Sequence, residues 1–168
     1  MRIAGLFVLV LMSVTSIGMP IKVMTYNLRL NTESDGVNAW PNRADKVARL
    51  ITKYDPDIIG VQEALDGQMQ DLVRLLPQYT YVGVGRDDGQ TKGEYSAILY
   101  KKGKFEVMMS STFWLSEQPT VPGSKSWDAA ITRVATWAVM KANTGESFFI
   151  LNTHFDHMGI EARTNSAK

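Results

Sequence analysis

The sequence has no cysteine and only two histidines, His154 and His157. Without thiols there is no disulfide framework, no Cys-based zinc site and no Cys nucleophile, so the fold must rest on packing. Excess charge is also missing: 18 basic residues stand against 17 acidic ones in 168 residues. A neutral chain sets up no strong field for a long polyanion, which disfavours a duplex-DNA specialist while leaving local capture of a small phosphate ester open. Internal repeats, low-complexity tracts and interdomain linkers are absent, and a 45% hydrophobic content fits one globular domain.

The one extended apolar run, residues 3–12, is too short to span a bilayer. Preceded by Arg2 and followed by Ser16 and Gly18, it reads as the core of a signal peptide over residues 1–18. Export to the periplasm or the extracellular space is the expectation, with Met19 opening the mature domain. Of the basic residues only Arg2 lies in that segment, so the mature chain carries 17 of each sign.

From Ile21 an apolar stretch with large side chains on both faces predicts a central strand over 21–28, covered on both sides. A polar loop, 31–38, leads to Pro41 and a helix with Ala44, Val47, Ala48, Leu50 and Ile51 at helical spacing. Asp55-Pro56-Asp57 ends it. Residues 58–61 form a second buried strand running into Gln62 and Glu63, and a second helix carries Leu65, Met69, Leu72, Val73 and Leu76 before Pro77. Two strands joined by a helical crossover run parallel, so Asn27 and Glu63 are expected side by side. Strands over 79–84, 96–101, 105–114, 132–141 and 148–153 follow, with a tight turn at Asn143-Thr144-Gly145-Glu146 and a helix opening near Gly159. The fold class is therefore α+β, with short strands in mixed sheets or a sandwich.

Several polar residues fall where strands end, the usual place for a site. Glu63 is either a helix-start carboxylate or a ligand for a hard cation, and Asn27 beside it adds an amide oxygen of the kind Mg²⁺ or Ca²⁺ accepts. Glu94 is either a solvated edge carboxylate or a group that orients an imidazole and raises its pKa for acid catalysis. Arg133 is suited to a forked phosphate contact or to a salt bridge. His154 sits at the end of the last strand, and Asp156 with His157 offers a secondary metal site.

Taken in order, Met24-Thr25-Tyr26-Asn27-Leu28-Arg29, Gly60-Val61-Gln62-Glu63, Gly93-Glu94-Tyr95-Ser96 and Asn152-Thr153-His154 resemble the endonuclease/exonuclease/phosphatase superfamily, the deoxyribonuclease I-like group. The stretches around Trp40, Arg86-Asp87-Asp88-Gly89 and Phe113-Trp114 are similar to those of exported bacterial members. The resemblance implies a four-layer α/β/β/α sandwich, of which this chain would be the N-terminal part. It also implies a divalent-metal-dependent hydrolase of phosphodiesters or phosphomonoesters, with Mg²⁺, or alternatively Mn²⁺ or Ca²⁺, at Glu63. Asn27 would contact the phosphate or lie within the metal's shell, Arg133 would lie near the phosphate, and His154, held by Glu94, would protonate or stabilise the leaving oxygen. The substrate is left open among small molecules, lipid headgroups and nucleic acids.

The superfamily's later Gly-Asp-Phe-Asn and Ser-Asp-His segments have no counterpart up to Lys168. The expectation is an incomplete domain over 19–168 with negligible activity alone and an uncovered apolar sheet surface prone to self-association. The alternative is a non-catalytic module that binds glycan or protein through loops 83–93 and 116–127, using Arg86, Asp87, Asp88, Trp114 and Trp127.

Overall fold

The structure is a computed structural model that describes residues 20–168, so the expected signal peptide lies outside the described residues. Strand β1 (Val23–Asn27) precedes a short 3-10 helix (Glu33–Asn38) and helix α1 (Trp40–Tyr54); β2 (Ile58–Gln62) and α2 (Asp66–Leu75) follow. Strands β3 (Tyr79–Val82), β4 (Ile98–Lys101), β5 (Phe105–Trp114), β6 (Val134–Ala142) and β7 (Ser147–Thr153) lead to α3 (Ile160–Ser166).

Two sheets result. The first has the order β1-β2-β4-β3, with β1 parallel to β2 and the other pairs antiparallel; the second is the antiparallel meander β5-β6-β7. Helices α1 and α2 cover one face of the first sheet. Trp40, Val47 and Ile51 from α1 and Met69 and Leu72 from α2 are buried there against Ile59, Val61 and Leu99. On its other face Ile58 and Ile98 meet Phe105, Ala138 and Met140 of the second sheet. Among the described residues this gives a helix layer and two sheet layers. The outer face of the second sheet leaves Met109, Phe149 and Leu151 exposed.

Three expectations change. Among the described residues β1 is not central: it pairs with β2 alone and lies at the edge of its sheet. Its Met24 and Tyr26 pack on the helix-side core, while Val23, Thr25 and Asn27 are exposed. Apolar side chains on both faces misled the reading, because the second sheet packs on β2 and β4 rather than on β1. Leu50 also leaves the predicted core stripe of α1, since the buried face runs through Ala44, Val47, Ala48 and Ile51, and Leu50 falls on its flank. The expected polar loop 31–38 winds into the short 3-10 helix.

A buried amide fastens the two sheets together. Asn152 of β7 donates from Nδ2 to the carbonyls of Val61 and Ala97 at 2.8 and 2.9 Å, and its Oδ1 accepts from Gln62 Nε2 at 2.7 Å. It reaches them because residue 60 is glycine: a Cβ there would stand 2.8 Å from Asn152 Oδ1. A buried donor or acceptor left unpaired costs about 1–3 kcal/mol. Asn152→Ala is therefore expected to destabilise the chain by about 2–4 kcal/mol, since several such bonds go together. Gly60→Ala should lower stability in the same direction. Urea denaturation followed by tryptophan fluorescence checks both.

Candidate functional site

The parallel β1–β2 pair aligns Asn27 with Gln62, so Glu63 emerges next to Asn27 as expected. Asn27 Nδ2 donates to Glu63 Oε1 at 2.8 Å, and Asn27 Oδ1 accepts the backbone N–H of Arg29 at 2.9 Å. The Asn27 side chain is thus committed at both ends and fixes the orientation of the carboxylate. Glu63 and Arg29 both sit in the left-handed region, with φ of 63° and 57°. For residues other than glycine this costs on the order of 1–3 kcal/mol and is found where a site is held in place by its surroundings. Those surroundings are visible. Buried Gln68 accepts from the backbone N–H of Asn31 and Leu65 and donates to Arg29 O, while Arg43 donates to the carbonyls of Leu28 and Arg29.

The second sheet supplies the facing wall. Arg133, only 6% exposed, lies just before β6, and His154 follows β7. The Arg133 guanidinium stands 3.0 Å from His154 Nδ1 and 3.3 Å from His157 Nδ1. Arginine has only donors, so both imidazole Nδ1 atoms must accept, which places the ring proton on Nε2. Burial, and then the charge of Arg133, hold the His154 pKa below its ordinary 6.5. Arg133 itself is pushed down by burial and by Arg86, and its buried Nε makes no hydrogen bond, standing 4.0 Å from Asp156 Oδ2. Glu63, Glu94, Arg133, His154 and His157, with Arg29, Leu30 and Ile131, line one cleft of about 360 Å³.

The expected pairing of Glu94 with His154 is not what forms. Glu94 Oε2 accepts from Arg86 at 2.7 Å, and the ring that was to be made more basic is made less so. Arg86 comes from the β3–β4 loop, where no hydrophobic periodicity announces a neighbour. The signal that was available is the pair of turn-forming segments, Asp88-Gly89 and Gly93, which close the loop and bring Arg86 back to Glu94.

Asp156 is likewise not a metal ligand of a second site. It is 4% exposed, its Oδ2 accepts the N–H groups of Ala130 and Ile131, and its Oδ1 those of Met158 and Gly159. Although burial pushes its pKa up, these backbone donors hold it well below the usual carboxylate range. Four backbone bonds saturate the carboxylate and anchor the chain around the cleft. His157 does border the cleft, exposed to solvent.

Among the described residues no three His, Asp or Glu side chains cluster as a metal cage. The chemistry of the donors nevertheless fits a hard cation that keeps much of its water, because Mg²⁺ is commonly held by one or two carboxylates plus waters. Glu63 is the carboxylate offered, with one oxygen fixed by Asn27.

Two outcomes are expected. Asp156→Ala should cost about 2–4 kcal/mol of stability by stranding buried backbone donors, measured by denaturation, while leaving Mn²⁺ binding unchanged. A histidine whose folded pKa lies below its unfolded value makes the unfolded chain the stronger proton acceptor, so stability falls as pH drops below about 6.5. Thermal melts across that range should show this loss, and His154→Asn should flatten it.

A model of the endonuclease/exonuclease/phosphatase family matches residues 24–151. The crystal structure of an endonuclease/exonuclease/phosphatase from Bacteroides vulgatus is 47% identical with a TM-score of 0.85, over 88% of this chain and 57% of that one. A mannosyl-6-phosphatase from Bacteroides thetaiotaomicron is 43% identical, TM-score 0.85, over 88% and 56%. An uncharacterised protein of Acanthamoeba polyphaga mimivirus is 30% identical over 80% of this chain and 54% of its own length. The chain thus spans just over half the length of these relatives. Two sheets with flanking helices match the deoxyribonuclease I-like architecture of its structural neighbours. The chain belongs to the endonuclease/exonuclease/phosphatase family.

Proposed function

We propose that this chain carries the phosphate-binding and leaving-group half of a divalent-metal-dependent phosphoesterase site. The observation that carries the reading is the convergence on a single cleft of Glu63, oriented by Asn27, from one sheet with Arg133 and His154 from the other. Arg133 offers a planar guanidinium for a phosphoryl group. His154, neutral with its proton on Nε2, donates a hydrogen bond to the leaving oxygen and stabilises the charge that develops there. Asn27 keeps Glu63 aimed by holding one of its oxygens. Glu63 would hold the Mg²⁺, or Mn²⁺ or Ca²⁺, which when bound acts as a Lewis acid on the phosphoryl group.

The substrate class favoured is a sugar phosphate monoester, from the 43% identity to a protein described as a mannosyl-6-phosphatase. The neutral charge balance points the same way, since it gives no long-range pull on a nucleic acid. The apolar run at residues 3–12 supports export as the setting. One oriented carboxylate and a span of 57% of its Bacteroides vulgatus relative support the further reading that the isolated chain turns over negligibly.

Hydrolysis of mannose 6-phosphate and bis-p-nitrophenyl phosphate with Mg²⁺ tests this. A longer protein containing this segment should prefer the monoester and lose about 10²–10⁴-fold in rate on His154→Ala. In the chain alone, Mn²⁺ should bind weakly and Glu63→Gln should abolish it. Turnover by the chain alone that depends on His154 would overturn the half-site reading, and Mn²⁺ binding indifferent to Glu63→Gln would remove the metal from it.

A further inference from the structure

The Arg86–Glu94 pair has the features of a built device. Both side chains are mostly buried, at 14% and 15% exposed, and the buried Arg86 Nε makes no hydrogen bond, standing 3.7 Å from Asp87 Oδ1. The loop that carries Arg86 is braced throughout. Asp87 N–H donates to Lys92 O, Gly85 N–H to Gln90 O, and Asp88 Oδ1 accepts the N–H groups of Gln90 and Lys92. A Cβ at Gly85 would stand 2.2 Å from Lys92 O, and one at Gly93 2.5 Å from the Asp87 carboxyl carbon, so both positions require glycine. From the second sheet, Trp114 Nε1 donates to Arg86 O at 2.6 Å. The backbone of Arg86 is thereby fixed from two sheets at once, and its guanidinium meets Glu94 at the edge of the cleft.

We propose that Arg86 is a positioning residue of the site, holding the Glu94 carboxylate off the His154 ring so that the imidazole meets the substrate as a neutral Nε2–H donor. The charged groups that act on His154 are Arg133 and Arg86, which disfavour its protonation, and Glu63 and Glu94, which favour it. Glu63 is taken by Asn27, and Glu94 is the carboxylate that Arg86 withholds. Remove Arg86, and a mostly buried carboxylate loses its direct cation; of the groups lining the same pocket, Arg133 already carries its charge and His154 is the one that can gain a compensating one. Arg86 also neutralises a negative charge bordering the cleft, which an anionic substrate would otherwise meet. The proposal rests on the phosphoester reading of the cleft, but its test follows imidazole protons rather than turnover, so each can fail without the other.

The chain has two histidines, so its imidazoles give two sets of NMR signals, and the set lost in His154→Asn is that of His154. In Arg86→Ala the His154 titration midpoint should rise by about one pH unit, a tenfold gain in proton affinity. In Arg86→Ala with Glu94→Gln that gain should shrink to about threefold or less, because only the repulsion of Arg86 has then been lost. Glu94→Gln alone should lower the His154 affinity by no more than about threefold, and this measurement decides if Arg86→Ala fails to fold. An unmoved His154 in Arg86→Ala, a full gain persisting in the double variant, or a loss of about tenfold in Glu94→Gln would each overturn the proposal.

Discussion

The structure depends on one amide. Asn152 carries two donors and an acceptor across the space between two sheets, and every one of them finds a partner on the far side. Hydrophobic packing alone would bring the sheets together without fixing how far one has slid along the other, because dispersion and burial are non-directional. Hydrogen bonds in a low-dielectric interior supply that direction, and an unpaired amide there is costly enough to reject neighbouring registers. The glycine at position 60 is the other half of the constraint, since it opens the gap the amide occupies.

The site is arranged around that fastening. His154 lies two residues beyond Asn152 on β7, and Glu63 follows Gln62, which bonds the same amide. Asn27 and Glu63 enter from the first sheet, Arg133 and His154 from the second, and Arg86 is held by backbone and indole contacts that touch both. Electrostatics in the cleft are nearly balanced. Arg29 is engaged by Asp35, Arg86 by Glu94, and Arg133 by Asp156.

Much of this was legible in the amino-acid sequence where a local rule had a geometric consequence. The strand-helix-strand order placed Asn27 beside Glu63, since a right-handed crossover leaves little freedom, and the two form a 2.8 Å bond. The ends of strands gave His154 and Arg133. What local pattern could not give was partnership across long loops. Glu94 was matched to His154 because an imidazole is a natural mate for a carboxylate, yet Arg86 reaches it first from a loop whose path depends on glycine packing. Asp156 next to His157 looked like ligand material; two of its four donors come from backbone just after it and two from a segment 25 and 26 residues earlier, which no spacing rule reveals. For β1, apolar residues on both faces describe a strand near a core but do not say how far the opposite sheet extends.

A cleft whose two walls belong to different sheets is in effect a vernier. Any sliding of one sheet against the other is read out directly as a change in the separation of Glu63 from His154. The Asn152 amide sets the zero of that scale, and it stands within two residues of both walls. Substitutions deep in the interface between the sheets, far from any phosphate, would then detune the chemistry by fractions of an ångström while the chain still folds. In this protein the boundary between residues that matter for stability and residues that matter for alignment runs through the core itself.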